Sequence, residues 1–127
     1  NKEIYLKCFE KLIESHLKNT SNIYIKYHPD FDRFKDLELK FNYILKKFNI
    51  EHHILPVQIY LEEISNDLTN NLTIYNLHSS TIIYCSIFGA KVVVYDKFLR
   101  ENDNTYKWIT DIMDNIISNL QLDVKLV

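Results

Sequence analysis

Two short pairs carry residue types that could hold and activate a phosphate. His28-Pro29 closes the run Ile23-Tyr24-Ile25-Lys26-Tyr27, and Ser79-Ser80 opens the run Thr81-Ile82-Ile83-Tyr84. An imidazole has an ordinary pKa of about 6.5, and a neighbouring phosphate dianion raises it, so His28 would be a cationic donor near neutral pH. Such a group stabilises a departing phosphate by hydrogen bonding to it or protonating it. Pro29 would fix the turn that aims the ring. Ser79 and Ser80 add two hydroxyls to the first turn of a helix, whose N–H groups lack partners and whose dipole favours an anion. Each pair also has a plainer reading. A histidine after a strand is commonly a solvated loop residue, and a serine before an apolar helix is a routine N-cap. A second helix-start serine exceeds what capping needs, however, and both pairs follow strands. In an alternating β/α chain those positions fall on the carboxyl edge of the sheet, where ligands bind.

Other candidates are secondary. Glu62 and Glu63, in Pro56-Val57-Gln58-Ile59-Tyr60-Leu61-Glu62-Glu63-Ile64, lie between the two pairs in sequence. A carboxylate there could accept hydrogen bonds from ribose hydroxyls, although a solvated helix face is the favoured explanation of the pair. His78 precedes the serines and could reach the same anion. His52 and His53 are adjacent, so in a strand they point to opposite faces, which is poor geometry for one metal. No metal site is expected. The chain has a single glycine, Gly89, at a helix end. That excludes a glycine-rich dinucleotide fingerprint and a P-loop. Any phosphate must be held by side chains and a helix N-terminus instead.

The elements that must position these residues follow from periodicity. Residues 2–18 place Ile4, Cys8, Phe9, Leu12, Ile13 and Leu17 at helical spacing, and Phe34, Leu37, Phe41, Ile44, Leu45 and Phe48 mark a second helix. Asn22 to Tyr27 reads as a strand ended by Pro29, and His53 to Leu55 as a brief one closed by Pro56. A short helix carrying Ile59, Leu61 and Ile64 is expected after Pro56. Leu72 to Asn76 is a third strand. Ser79 then caps a helix running through Phe88, which Gly89 stops in the left-handed conformation. Lys91 to Tyr95 is a strand apolar enough to be buried on both faces. A closing helix over about 105–120 aligns Ile109, Ile112, Met113, Ile116, Ile117 and Leu120. Strands alternating with helices predict an α/β chain with a short parallel sheet covered on both faces, a Rossmann-like three-layer domain over residues 1–127.

Composition bounds the function classes. The 46% hydrophobic and 25% charged fractions are those of an ordinary globular chain, and 127 residues suffice for one core. A net charge of −2 with dispersed basic residues argues against nucleic acid as a partner. Cys8 and Cys85 fall in apolar segments without metal-ligand spacing, so buried reduced thiols are expected. No run approaches the ~20 apolar residues of a membrane span.

With these residues in place, the chain resembles the C-terminal half of bacterial sialyltransferases, most closely the lipooligosaccharide and capsule sialyltransferases of glycosyltransferase family 52. An HP motif with a downstream SS or ST motif characterises those families, matched here by His28-Pro29 and Ser79-Ser80. Leu55-Pro56-Val57-Gln58 through Glu62-Glu63 is similar to their intervening segment, and Gly89-Ala90-Lys91-Val92-Val93-Val94 to the strand after their serine helix. The resemblance covers roughly residues 20–98. It implies one half of a GT-B fold, the half that binds CMP-sialic acid, with no separate cofactor. On that basis His28 contacts the CMP phosphate and assists its departure, Ser79 and Ser80 bind the same phosphate, and Pro29 lines the nucleotide pocket. Glu62 is the expected ribose contact, with Gln58, Glu63 and His78 as further contacts.

The implied reaction transfers sialic acid to a cell-surface glycan with inversion. The base that deprotonates the acceptor sits in an N-terminal domain whose D/E-D/E-G motif is absent here. The expectation is therefore a donor-binding fragment without the acceptor domain, inactive alone. In the full-length protein it would be cytoplasmic and peripheral at the inner face of the bacterial membrane, and it admits a homodimer. The alternative is a noncatalytic α/β interaction or receiver-like module, for which Asp96, after the valine strand, is the one acidic candidate.

Overall fold

Val92, Val93 and Val94 are all at most 5% exposed, and the strand they form organises half of the molecule. A computed structural model describes residues 2–27, 35–56, 58–61, 72–77 and 79–127. It is an α/β structure of short parallel sheets and helices. The chain forms two compact units, Asn1–Ile59 and Tyr60–Val127. The described strands pair as two sheets, one in each unit, rather than as the one sheet that alternation predicts.

In the first unit, α1 (Lys2–Leu12) runs into a π-helical turn over Ile13–Leu17, followed by β1 (Ile23–Ile25), α2 (Lys35–Lys47) and β2 (His52–Ile54). β1 and β2 pair in parallel, with Tyr24 opposite His53. Leu6, Cys8, Leu12, Ile13 and Leu17 are buried on the first helical segment, and Leu37, Ile44 and Leu45 on α2. Phe9 meets Phe41 edge-on with ring centroids 4.5 Å apart. Lys2 bonds Asp36, Glu3 accepts from Lys40 and Glu10 from Lys47. These pairs advance together along both helices, so α1 and α2 run in the same direction. All three involve exposed lysines, so they select the alignment more than they stabilise it.

In the second unit, β3 (Thr73–Asn76), α3 (Ser80–Ile87), β4 (Lys91–Val94), α4 (Lys97–Asn102), α5 (Asn104–Asn119) and β5 (Val124–Leu126) form an all-parallel sheet of order β3-β4-β5. The strand pattern of Lys-Val-Val-Val therefore marks the central strand, as expected from its burial on both faces. Val92 and Val94 pack with Ile74, Ile82, Cys85 and Ala90. Val93, alternating to the other face, is buried as well. β5 and α4 are not apparent in the sequence. β5 is short and carries a central lysine; the Val127 N–H donating to the Val94 carbonyl at 2.8 Å secures it. Cys8 and Cys85 are both buried, as their apolar settings suggest.

One turn recurs at three of the four described connections from a helix into a strand. After α2, Asn49 has φ 53°, the Ile50 N–H bonds the Leu45 carbonyl, and the Asn49 N–H bonds that of Lys46. After α3, Gly89 has φ 93°, with Ala90 to Cys85 and Gly89 to Ser86. After α5, Gln121 has φ 52°, with Leu122 to Ile117 and Gln121 to Ser118. Each is a Schellman closure, which returns the last helical carbonyls to partners while an apolar residue tucks back against the helix. Gly89 does this as the sequence predicts; Asn49 and Gln121 do it without glycine.

A buried ion network ties α4 and α5 to the end of β4. Asp96 is 1% exposed; its carboxylate accepts from Arg100 Nε at 2.8 Å and from the Tyr106 hydroxyl at 3.2 Å. The two terminal nitrogens of Arg100 grip Asp114 bidentately. Burial by itself would lower the Arg100 pKa, but the hydrogen bonds to Asp114 and Asp96, with their charges, more than offset it and raise it. Asp103 Oδ1 caps α5 by accepting from the N–H groups of Thr105 and Tyr106.

Two stability outcomes follow, both read from urea-unfolding midpoints. Gln121→Gly and Asn49→Gly each raise stability, by up to about 1 kcal/mol for Gln121 and less for Asn49, since asparagine tolerates the left-handed region better. A lowered midpoint in both would show those positions to be unstrained. Arg100→Ala leaves the buried Asp96 carboxylate without its cation and costs about 3 kcal/mol. Asp96→Asn, which removes the charge itself, costs less; the reverse ranking would contradict this account.

Candidate phosphate-binding edge

β3 and α3 build the best-defined part of the predicted site. β3 ends at Asn76, and α3 begins at Ser80, with Ser79 at the N-cap in an extended conformation (φ −156°, ψ 163°). The Ile82 N–H donates to the Ser79 carbonyl at 3.1 Å, which closes the first turn. The Ser79 side chain, however, makes no capping bond to the helix. Its hydroxyl instead accepts from Asn76 Nδ2 at 3.1 Å. The sequence predicts Ser79 as the cap; its backbone takes that position while its side chain turns to the strand end. The reason is local competition, since a carboxamide three residues upstream offers a donor that the extended backbone brings within reach.

β4 fixes where this junction lies. Asn76 stands opposite Val94, and the Tyr95 N–H donates to the Asn76 carbonyl at 3.1 Å. Asn76, Ser79 and the Tyr95-Asp96 turn thus leave the carboxyl edge of two neighbouring parallel strands. α3 supplies the local reason for the geometry: Ile82 and Cys85 are fully buried against the sheet, which holds the start of the helix at that edge. Of the acidic groups there, Asp96 faces inward to Arg100 and Tyr106.

Among the remaining predicted residues, His28, Pro29, Glu62, Glu63 and His78 lie outside the described residues, as does the Ser80 side chain. The expected helix through Ile64 falls largely there too, although the Ile59 N–H donates to the Pro56 carbonyl at its start. Gln58 is exposed just after Pro56 and belongs to the first unit, whereas Ser79 and Ser80 belong to the second. Tyr27, which precedes His28, has its ring centroid 6.4 Å from that of Phe41. Burial, then the charge of Glu38, raises its phenol pKa.

The two histidines of β2 behave as strand alternation requires. His52 is half-buried with Nδ1 3.1 Å from the Ile50 carbonyl, while His53 is exposed and stacks on Tyr24 at 5.3 Å between centroids. Among the described residues, no three His, Cys, Asp or Glu side chains converge as metal ligands. A polar concavity of about 300 Å³ is lined by Lys18, Ser21, Asn22, Asn49, Glu51 and His53, among others. It opens at the amino ends of β1 and β2, opposite to the edge where phosphate is expected, and includes none of the predicted site residues.

Sequence reasoning did not find two features of the second unit. Asn76 carries no motif, and only its place at a strand end three residues before Ser79 could have marked it. The Asp96–Arg100 contact has a visible signal in its i, i+4 spacing, but its partners Tyr106 and Asp114 come from the next helix. No helix among the described residues is long and apolar enough to cross a membrane. No protein-family model, curated protein or solved structure matches the chain.

Proposed function

We propose that this chain is the donor-binding part of a CMP-sialic-acid-dependent glycosyltransferase of inverting, GT-B type. The observation that carries the reading is the β3–α3 junction: a helix N-terminus at the carboxyl edge of a parallel strand, with a serine hydroxyl that does not cap its own helix. The order of His28-Pro29 and Ser79-Ser80 in the sequence supports the same reading. In this account Ser79 and Ser80, with the first-turn N–H groups, hold the CMP phosphate, and His28 donates a proton or hydrogen bond as the phosphate departs from the sugar. Pro29 lines the nucleotide pocket, and Glu62, or Gln58 in its place, receives the ribose hydroxyls. The acceptor base belongs to a partner domain.

One observation favours a second reading, a noncatalytic interaction module. Trp108 is 68% exposed on α5, with Ile109 and Ile112 also exposed beside it, and such a face suits a protein partner. A receiver-like version of that module is less well supported, because Asp96 is buried with hydrogen bonds to both carboxylate oxygens.

Calorimetry or ligand-observed NMR with CMP separates the two. Donor binding predicts a dissociation constant between about 1 mM and 10 μM, roughly 4 to 7 kcal/mol. Ser80→Ala and His28→Ala each weaken it about tenfold. Affinity also falls from pH 6 to pH 9 as the imidazole loses its proton, and His28→Ala removes that slope. UDP competes poorly with CMP. Indifference to every nucleotide would sink the proposal in favour of the interaction module; a flat pH profile would remove His28 from its role.

A further inference from the structure

Six large apolar side chains are left exposed on one helical layer of the second unit. Tyr84, Ile87 and Phe88, on α3 and its cap, are between 41% and 58% exposed, and Trp108, Ile109 and Ile112 of α5 between 46% and 68%. The inward sides of the same helices are sealed, by Ile82 and Cys85 on α3 and by Tyr106 and Thr110 on α5. Both helices cover one face of the sheet. Ile82, Cys85 and Ile117 pack in a single cluster with Val92 and Val94, which alternate to the same side of β4. Right-handed crossovers through strands in the order β3-β4-β5 require the same.

The layer also lacks available charge. α3 has no Asp, Glu, Lys or Arg. The charged residues of α5 are Lys107, Asp111 and Asp114; the first two bond each other at 2.9 Å, and Arg100 holds the third. A partner recognised by charge finds no counter-ion here, and an anionic membrane finds no basic face. Large aromatics bury about 150–250 Å² each, so six side chains about half exposed offer several hundred Å². Soluble monomers rarely expose a contiguous apolar patch above about 300–600 Å², whereas one partner of a standard interface contributes about 800 Å², part of it polar rim. An uncharged, aromatic surface is complemented by another of its kind, and every copy of this chain carries one. A two-fold axis closes two copies into a pair.

We propose that the outer face of the α3–α5 layer is the interface of a two-fold homodimer, with Trp108 as its main anchor. The pairing is independent of the CMP-binding reading, since the face includes none of the residues assigned to the donor site.

Trp108 is the only tryptophan in the chain, so the wild-type 127-residue protein reports its own assembly. Sedimentation and tryptophan emission are followed together across a dilution series that spans the expected dissociation constant of about 1–100 μM. As the mass doubles, the emission shifts to the blue and quenching by iodide falls. Ile87→Asp on α3 and Ile112→Asp on α5 each weaken the dimer at least about thirtyfold, and their emission stays red throughout the series. Both positions are exposed, so their urea midpoints hold near that of the wild type. Leu39→Asp, on an exposed position of α2 in the first unit, leaves the dimer unchanged. A wild type that stays monomeric at every concentration overturns the proposal, and a blue shift of that monomer on phosphatidylcholine vesicles would assign the face to a lipid surface. A dimer whose emission does not move, or one that survives both aspartate variants, also overturns it, as does a mass that climbs beyond two copies.

Discussion

Burying the backbone of Val92-Val93-Val94 is the constraint on which the second unit depends. A strand sealed on both faces still carries a row of N–H and C=O groups, and each must find a partner away from water. β3 and β5 supply them on either side, and α3 contributes Ile82 and Cys85 to the cover. Once β4 is central and parallel to both neighbours, its carboxyl end can only emerge beside theirs. Every polar group of interest in this unit is placed by that single fact. Asn76 and Ser79 leave β3 at that edge, and Asp96 leaves β4 there.

The edge is also where the unit tolerates charge. Asp96 is buried just after the valine strand, a setting in which a lone carboxylate would be costly. Arg100 and the Tyr106 hydroxyl make it tolerable, and Arg100 is balanced in turn by Asp114. The network joins the strand end to two successive helices, so the chain between β4 and β5 is fixed at its first turn. Ser79 presents the opposite case. It is neutral, half-buried and held by one bond from Asn76, so it can exchange partners at little cost.

Much of this was readable from residue order. Helical spacing located α1, α2 and α5, the serine cap and glycine stop located α3, and the valine run located the central strand. Gly89 was recognisable as a helix stop because a left-handed residue is its characteristic use. Where the same turn is made by Asn49 and Gln121, no glycine announces it, and the positions become apparent only from their φ angles. β5 is not legible in the sequence because three residues with a lysine in the middle have no apolar pattern; pairing alone defines them. The pairing of strands into two sheets is likewise set by packing rather than by any local signal. For the candidate site, the sequence pointed to Ser79 and Ser80, but the hydrogen bond that turns Ser79 away from its helix depends on the bend after Asn76.

The recurring Schellman closures have an effect beyond capping. Each ring joins the last helical turn to the first residues of the path into the next strand, leaving almost no slack between them. One residue inserted inside such a ring would break its bonds and push the following strand out of step, exchanging its core and solvent faces. Among the described residues, changes in chain length are therefore costly where α2, α3 and α5 pass into β2, β4 and β5, which leaves a descendant of this chain little freedom to lengthen those three turns without disturbing the register of the strand that follows.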